Sequence, residues 1–127
     1  MTVDQTEEIL RSAYWAFNAR DVDAALELMH ADVDWPNAWE GGRVVGRAAV
    51  GDYWRRQFES ISSKVDPVAF EHLTNGEVRV LVNQTVHDAK SGEKLSEGTV
   101  RHRYRLEDGL IVWMDVEETV EPQPPDA

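Results

Sequence analysis

His102 and Asp115 are the two residues whose types and spacing best suit acid–base chemistry. Asp108-Gly109 between two apolar runs is a two-residue hairpin signal. If Glu107 and Leu110 flank that turn, Leu106 faces Ile111, Tyr104 faces Trp113 and His102 faces Asp115. Opposed side chains in such a pair lie about 4.5–5.5 Å apart at Cβ, close enough for an imidazole and a carboxylate to bond. A carboxylate in that position raises the basicity of the imidazole and holds one tautomer, which suits general acid–base work near neutral pH. Gln84 and Asn37 are the polar groups that would position a carbonyl or hydroxyl. Tyr14, Phe17, Trp35, Trp54, Tyr104 and Trp113 would line an apolar pocket. A slip of one residue in the register would send His102 and Asp115 to opposite faces. The plain alternative is a satisfied polar pair inside a sheet, since buried polar groups need partners whether or not they act.

Helices come first in the chain and strands later. Ile9, Leu10, Ala13, Tyr14 and Phe17 recur at helical spacing in a helix from Asp4 to about Ala19. Asp21 caps a second, short helix with Val22, Ala25, Leu26 and Met29 on its apolar face, and His30 sits at its end, where a cation complements the helix dipole. Val33 to Trp39 reads as a short strand that Pro36 demotes to an edge. A third helix runs from about Arg47 to Ser60. Strands follow at Lys64–Leu73, Glu77–Ala89, Lys94–Glu107 and Leu110–Val120, with Asn75-Gly76, Lys90-Ser91-Gly92 and Asp108-Gly109 between them. Val100, His102, Tyr104 and Leu106 are the more apolar set of their strand and face the helices, together with Val80, Val82, Gln84 and Val86. The opposite face would mix Arg101, Arg103 and Arg105 with Val112, Met114 and Val116. Such a face suits a homodimer through the outer side of the sheet. The pattern is that of an α+β fold, three helices packed on a curved, mainly antiparallel sheet. Residues 1–120 form one domain, and the proline-rich 121–127 is a disordered tail.

Composition narrows the partners. The chain has 127 residues, 24 acidic against 13 basic, and a formal net charge of −11. That charge repels phosphate backbones and anionic lipid, so no nucleic-acid partner and no membrane partner is expected. The absence of cysteine excludes disulfides and thiolate chemistry. No His, Asp and Glu set has metal-ligand spacing, and no glycine-rich phosphate loop is present, so neither metal nor other cofactor is expected. His72 and His87 have no convergent partners and are expected at the surface. Met1 to Arg11 is acidic and lacks an apolar core, so no export signal is read there and the cytoplasm is the expected location.

The order of elements, the segment His30-Ala31-Asp32-Val33-Asp34-Trp35-Pro36-Asn37, the turn into Val45-Gly46-Arg47-Ala48-Ala49-Val50 and the closing Asp108-Gly109-Leu110-Ile111-Val112-Trp113-Met114-Asp115 resemble the nuclear transport factor 2-like superfamily. Within it the chain looks most like the SnoaL-like, polyketide cyclase-like branch of small bacterial proteins. The resemblance implies a cone-shaped α+β barrel, a pocket between helices and concave sheet, and frequent homodimers. Ketosteroid isomerase-like members carry a basic aspartate where Asn37 stands, and Asn37 cannot ionise. Limonene epoxide hydrolase-like members are partly matched by Trp35, Asn37 and Asp115, but Gln84-Thr85-Val86 replaces their Arg-x-Asp. The leading expectation is a cofactor-free proton-transfer enzyme of isomerase, cyclase or dehydratase type, acting on a small hydrophobic or aromatic carbonyl compound. The alternative is a non-catalytic, dimeric ligand-binding or accessory module. A limonene epoxide hydrolase-like hydrolase is third.

Overall fold

The computed structural model describes residues 2–37 and 40–117. Helix α1 (Val3–Asn18) opens on a reciprocal cap, in which Thr2 Oγ1 accepts from Gln5 N and Gln5 Oε1 accepts from Thr2 N. Two donors that a helix start leaves without partners are satisfied in this way. Leu10 and Tyr14, one turn apart, point into the core. Asp21 caps α2 (Val22–Glu27) by accepting from Ala24 N. The chain then runs through β1 (Met29–Pro36), β2 (Arg43–Val45), α3 (Arg47–Ser60), β3 (Ile61–His72), β4 (Val78–Asp88), β5 (Lys94–Glu107) and β6 (Leu110–Glu117).

The strands form a single six-stranded sheet in the order β2-β1-β6-β5-β4-β3. All neighbours are antiparallel except β1 and β6. The α+β class with three helices on a mainly antiparallel sheet is therefore as the sequence indicates. The sheet does not close, because β2 and β3 remain edges. Asn18 covers part of the β3 edge like a miniature strand, with its side chain donating to Val65 O and accepting from Val65 N, both at 2.8 Å. Pairing a free edge in this way removes a template for association.

Three local expectations are corrected. Pro36 does not mark an edge: β1 lies between β2 and β6, and Pro36 closes its end opposite Arg43. His30 belongs to β1 and accepts from Asp32 N instead of capping α2. His72 bonds Glu7 at 2.7 Å, tying the end of β3 to α1. Trp39, the expected end of the first strand, and the tail 121–127 lie outside the described residues.

The last hairpin carries the largest correction. Asp108 (φ 53°) and Gly109 (φ 76°) form the tight turn with positive φ at both positions, as a two-residue hairpin requires. Glu107↔Leu110 and Leu106↔Ile111 follow the expected register, but Arg105 then pairs with Trp113, leaving Val112 as an extra residue in β6. Every later pair is displaced by one: Tyr104↔Met114, Arg103↔Asp115, His102↔Val116 and Arg101↔Glu117. The reason lies in solvation. In the undisplaced register Asp115 and Glu117 would face the core, where an unpaired carboxylate is costly. The bulge turns Met114 and Val116 inward instead and brings Asp115 and Glu117 onto the arginine face.

The outer side of the sheet consequently differs from the mixed apolar face read from the sequence. Met114 and Val116 are no longer on it. In their place is Trp113, with the guanidinium groups of Arg43, Arg103 and Arg105 at 4.9–5.6 Å from its ring. Carboxylates hold these arginines: Glu77 takes Arg105 at 2.9 Å and Arg103 at 3.5 Å, while Asp34 and Asp115 take Arg43 at 2.6 and 3.1 Å. Hydrogen bonds from Asn75 and then Arg105 hold Glu77 below the usual carboxylate range, and the bond from Arg79 does the same for Glu117.

Candidate functional site

Between the helices and the inner side of the sheet lies a cavity of about 160 Å³, roughly the size of an engineered apolar cavity that accepts benzene. Its walls are aromatic. Trp35 of β1 and Trp54 of α3 meet edge to face at 5.4 Å, and Phe17 of α1 meets Trp54 at 5.5 Å. Spacing explains the convergence: Tyr14 and Phe17 share one stripe of α1, Tyr53 and Trp54 the inner stripe of α3, and alternate residues of β5 face the same way. Met29, Met114 and Val65 fill the gaps between the rings.

At the floor, three polar side chains from two elements form a chain. Tyr104 of β5 donates to Tyr14 of α1 at 2.8 Å, and the Tyr14 hydroxyl lies 2.8 Å from His102 Nδ1. The Tyr14 and His102 rings lie nearly parallel, 11° apart, and Tyr104 stands edge-on to Tyr14. His102 and Tyr104 alternate inward on β5, and Tyr14 reaches them from α1, one turn beyond Leu10. Burial pushes the His102 imidazole down to about 4 and raises both phenols well above their usual range, the neighbouring Tyr104 adding to the rise at Tyr14. All three groups are therefore uncharged at neutral pH.

The direction of the chain follows from proton counting. Tyr104 is buried and its hydroxyl has one partner among the described residues, Tyr14, so donating to Tyr14 is what keeps its proton satisfied. Tyr14 then has its own proton for His102 Nδ1, which must be the unprotonated nitrogen. A neutral imidazole so held carries its proton on Nε2. Nε2 has no partner among the described residues, and His102 lines the cavity. The floor thus offers one N–H donor aimed at whatever fills the space.

Of the residues singled out in the sequence, Tyr14, Phe17, Trp35, Trp54, Tyr104, His102 and Gln84 are brought to this one cavity. Three are not. Asp115 stands on the other face of the sheet, bonded to Arg43, so the His102–Asp115 pair does not form. Trp113 is on the same outer face among arginines. Asn37 lies just past β1 and is buried, but its amide is turned to Glu40: Nδ2 donates to Oε1 at 2.9 Å and Oδ1 accepts from Glu40 N at 2.7 Å. It shapes the turn into Gly41-Gly42 and is not among the cavity's lining residues. Sequence reasoning placed Tyr14 only as an apolar wall and missed it as the partner of His102. The two are 88 residues apart, and nothing local to either signals the contact. Ser63 and Gln57, also on the lining, were missed for the same reason.

Comparison with known proteins agrees with this architecture. A family model described as a SnoaL-like domain matches residues 10–114. The chain belongs to the SnoaL-like family. No curated protein matches it in sequence. Among solved structures, the SnoaL-like chain is similar to an NTF2-like protein of unknown function from Burkholderia pseudomallei (22% identity, 92% of this chain and 91% of that one, TM-score 0.77). It is similar also to a putative polyketide cyclase from Xanthomonas campestris pv. campestris (21% identity, 92% of each chain, TM-score 0.73). A third is a Mycobacterium tuberculosis protein in complex with estradiol-17beta-hemisuccinate (20% identity, 91% and 95% coverage, TM-score 0.77). At these identities the likeness is one of fold. Among the described residues, no helix is long and apolar enough to cross a membrane.

Proposed function

We propose that this SnoaL-like domain binds flat, uncharged, apolar compounds that present an oxygen acceptor, with His102 Nε2–H donating to that oxygen at the cavity floor. One observation carries the reading: an uncharged imidazole, oriented by Tyr14, opens onto an aromatic cavity whose lining, among the described residues, includes no Asp, Glu, Lys or Arg. Apolar walls with one well-placed polar group are what a small-molecule site needs for affinity and orientation. A carboxylate ligand would lose its hydration there without gaining a cation. The neighbour from Mycobacterium tuberculosis holds estradiol-17beta-hemisuccinate, and the ring system of that compound, though not its carboxylate, is in keeping with such apolar walls.

The test compares two compounds on one ring frame, 2-acetylnaphthalene and 2-naphthoate, titrated at pH 7 by quenching of tryptophan fluorescence. The ketone is expected to bind at least about 10-fold more tightly, because the carboxylate gives up its hydration on entering and meets no cation. His102→Phe should remove most of the ketone's affinity. Equal affinities, or a preference for the carboxylate, would show that the cavity is not the uncharged site described.

A second reading, proton transfer on the bound carbonyl, is favoured by the phenol chain behind His102, since an imidazole so connected can stabilise an enolate as well as hold a ketone. The chain ends at the buried Tyr104, whose raised pKa keeps its proton in place, so His102 acts in this reading as a hydrogen-bond donor to the enolate oxygen, while solvent water takes the α-proton and returns a deuteron to the same carbon. Incubation of 2-acetylnaphthalene with the protein in D₂O is the measurement. His102-dependent deuteration of the methyl group would establish enolisation, and binding without deuteration would leave the domain a binder. Epoxide hydrolysis has no support in the cavity, because Asp115 faces outward.

A further inference from the structure

The cavity has a second polar end. Gln84 is on the inner side of β4, four residues beyond Val80, the residue paired with His102. At about 3.3 Å per residue, that places it roughly 13 Å along the strand from the imidazole. Burial declines along the same line, from Val80 and Tyr104, which are sealed, to Gln84 and Val86, which are half-buried. Among the described residues, β6 pairs with β5 as far as Glu117, opposite Arg101, and the stretch of β5 next to Gln84 is paired with β4. His102 is therefore the floor, and Gln84 stands towards the mouth.

Ser63 joins Gln84 there. Val65 pairs with Gln84 and Ser63 with Val86, so Ser63 is the diagonal neighbour of Gln84 on the same face. Diagonal partners in a sheet lie within reach of a long side chain. Both residues line the cavity, and neither side chain is hydrogen-bonded among the described residues. Ser63 is nonetheless only 3% exposed. A hydroxyl that opens onto the cavity beside a free amide, across an aromatic space from an N–H donor, leaves two separated polar positions for a ligand to satisfy.

Resting on the pocket reading above, we infer that the ligand class is elongated and bifunctional: an uncharged compound of two or more rings, with a carbonyl oxygen bound at His102 and a hydroxyl or second carbonyl bound at Gln84 and Ser63. The same cavity is lined by His102 at one end and by Gln84 and Ser63 at the other, so such a compound would lie along β4 with its far oxygen at the mouth. Gln84 can both donate and accept, and the Ser63 hydroxyl can do the same, so this end selects for a polar group without fixing which kind. Gln84 and Ser63 determine specificity and take no part in any step at the carbonyl.

Two probes separate the ends: 4-acetylbiphenyl, with the ketone alone, and 4-acetyl-4′-hydroxybiphenyl, with a hydroxyl at the far end of the same frame. Both are titrated against the full chain at pH 7 by isothermal calorimetry. The hydroxylated probe is expected to bind about 10-fold more tightly, and that advantage should shrink to about 2-fold or less in Gln84→Leu and in Gln84→Leu/Ser63→Ala. His102→Phe should weaken both probes and leave their ratio unchanged. Equal affinity of the two probes for the native protein, or an advantage that survives in Gln84→Leu, would overturn the second pole while the His102-dependent affinity of 4-acetylbiphenyl kept the pocket reading intact. If neither probe binds, the pocket reading fails and the inference with it. Gln84 is half-buried at the mouth, so its variant tests the point even if replacement of the buried Ser63 disturbs the fold.

Discussion

Tyr14→Phe is expected to destabilise the protein by about 3 kcal/mol, and adding Tyr104→Phe to it is expected to restore part of that loss. The phenylalanine fills nearly the same space, so packing changes little. What changes is polar satisfaction. Tyr14 stands between two buried groups, accepting from Tyr104 and donating to His102 Nδ1. Removing its hydroxyl leaves a proton on Tyr104 and a lone pair on His102 with no partner in a dry interior, each costing about 1–3 kcal/mol. Removing the Tyr104 hydroxyl as well eliminates one of the two stranded groups, so the double variant should be the more stable of the two. Tyr104→Phe alone removes the end of the chain while Tyr14 still donates to His102, and it should cost about 1 kcal/mol. Urea unfolding at pH 7 on all three variants measures these differences. The opposite chain direction predicts a different order. If His102 donated to Tyr14 and Tyr14 to Tyr104, then Tyr104→Phe would strand the Tyr14 proton and cost more than the value above. Strict additivity of the two single variants would likewise show that the hydroxyls do not form a chain.

The same three residues show where sequence reading succeeds and where it stops. That His102 and Tyr104 face inward was legible from the alternation along β5, because that pattern is set by burial and has a period of two. The elements were legible for similar reasons: α1 from its apolar stripe, α3 from Arg47 to Ser60, β5 from its bounding turns. The partner of His102 was not. Asp108-Gly109 does set the first two cross-strand pairs, but a turn governs register only until the first bulge. A conflict in β6 was visible in principle. Carrying the turn register forward puts Asp115 and Glu117 in the core, whereas the alternation of Met114 and Val116 with those two acids demands the reverse. One extra residue reconciles both demands, and it also sets Arg101 opposite Glu117 and Arg103 opposite Asp115. Charge complementarity across the hairpin was thus the signal that could have located the bulge. Tyr14 carries no comparable signal, since the helix-to-sheet approach that brings its hydroxyl to His102 is decided by the packing of the whole core. Asn37 illustrates another limit. Its strand position resembled that of a site residue, yet its short amide satisfies the following turn through Glu40, a local competition that asparagine commonly wins.

Between pH 7 and pH 5 the native protein is expected to lose about 2 kcal/mol more stability than His102→Gln. The sign follows from the burial of the imidazole. In the folded chain His102 titrates near 4, against an ordinary value of 6.5 in the unfolded chain. As pH falls through 6.5 the unfolded state takes up a proton that the folded state refuses until about 4. The unfolded state therefore binds more protons across that window, stability declines at about 1.4 kcal/mol per pH unit, and the decline levels off below the folded value. Stopping at pH 5 uses roughly 1.5 units of the window and leaves Glu77 and Glu117 charged, since hydrogen bonds from Asn75 and from Arg105 and Arg79 hold both below the usual range. Their contribution is common to both proteins and cancels in the difference. Glutamine is the informative replacement because its carbonyl can still accept from Tyr14 while nothing at position 102 titrates. Urea midpoints at the two pH values supply the comparison. Parallel losses in the two proteins would mean that His102 exchanges its proton as freely as in water. The floor of the cavity would then be wet, and the fixed Nε2–H donor on which ligand recognition depends would not exist.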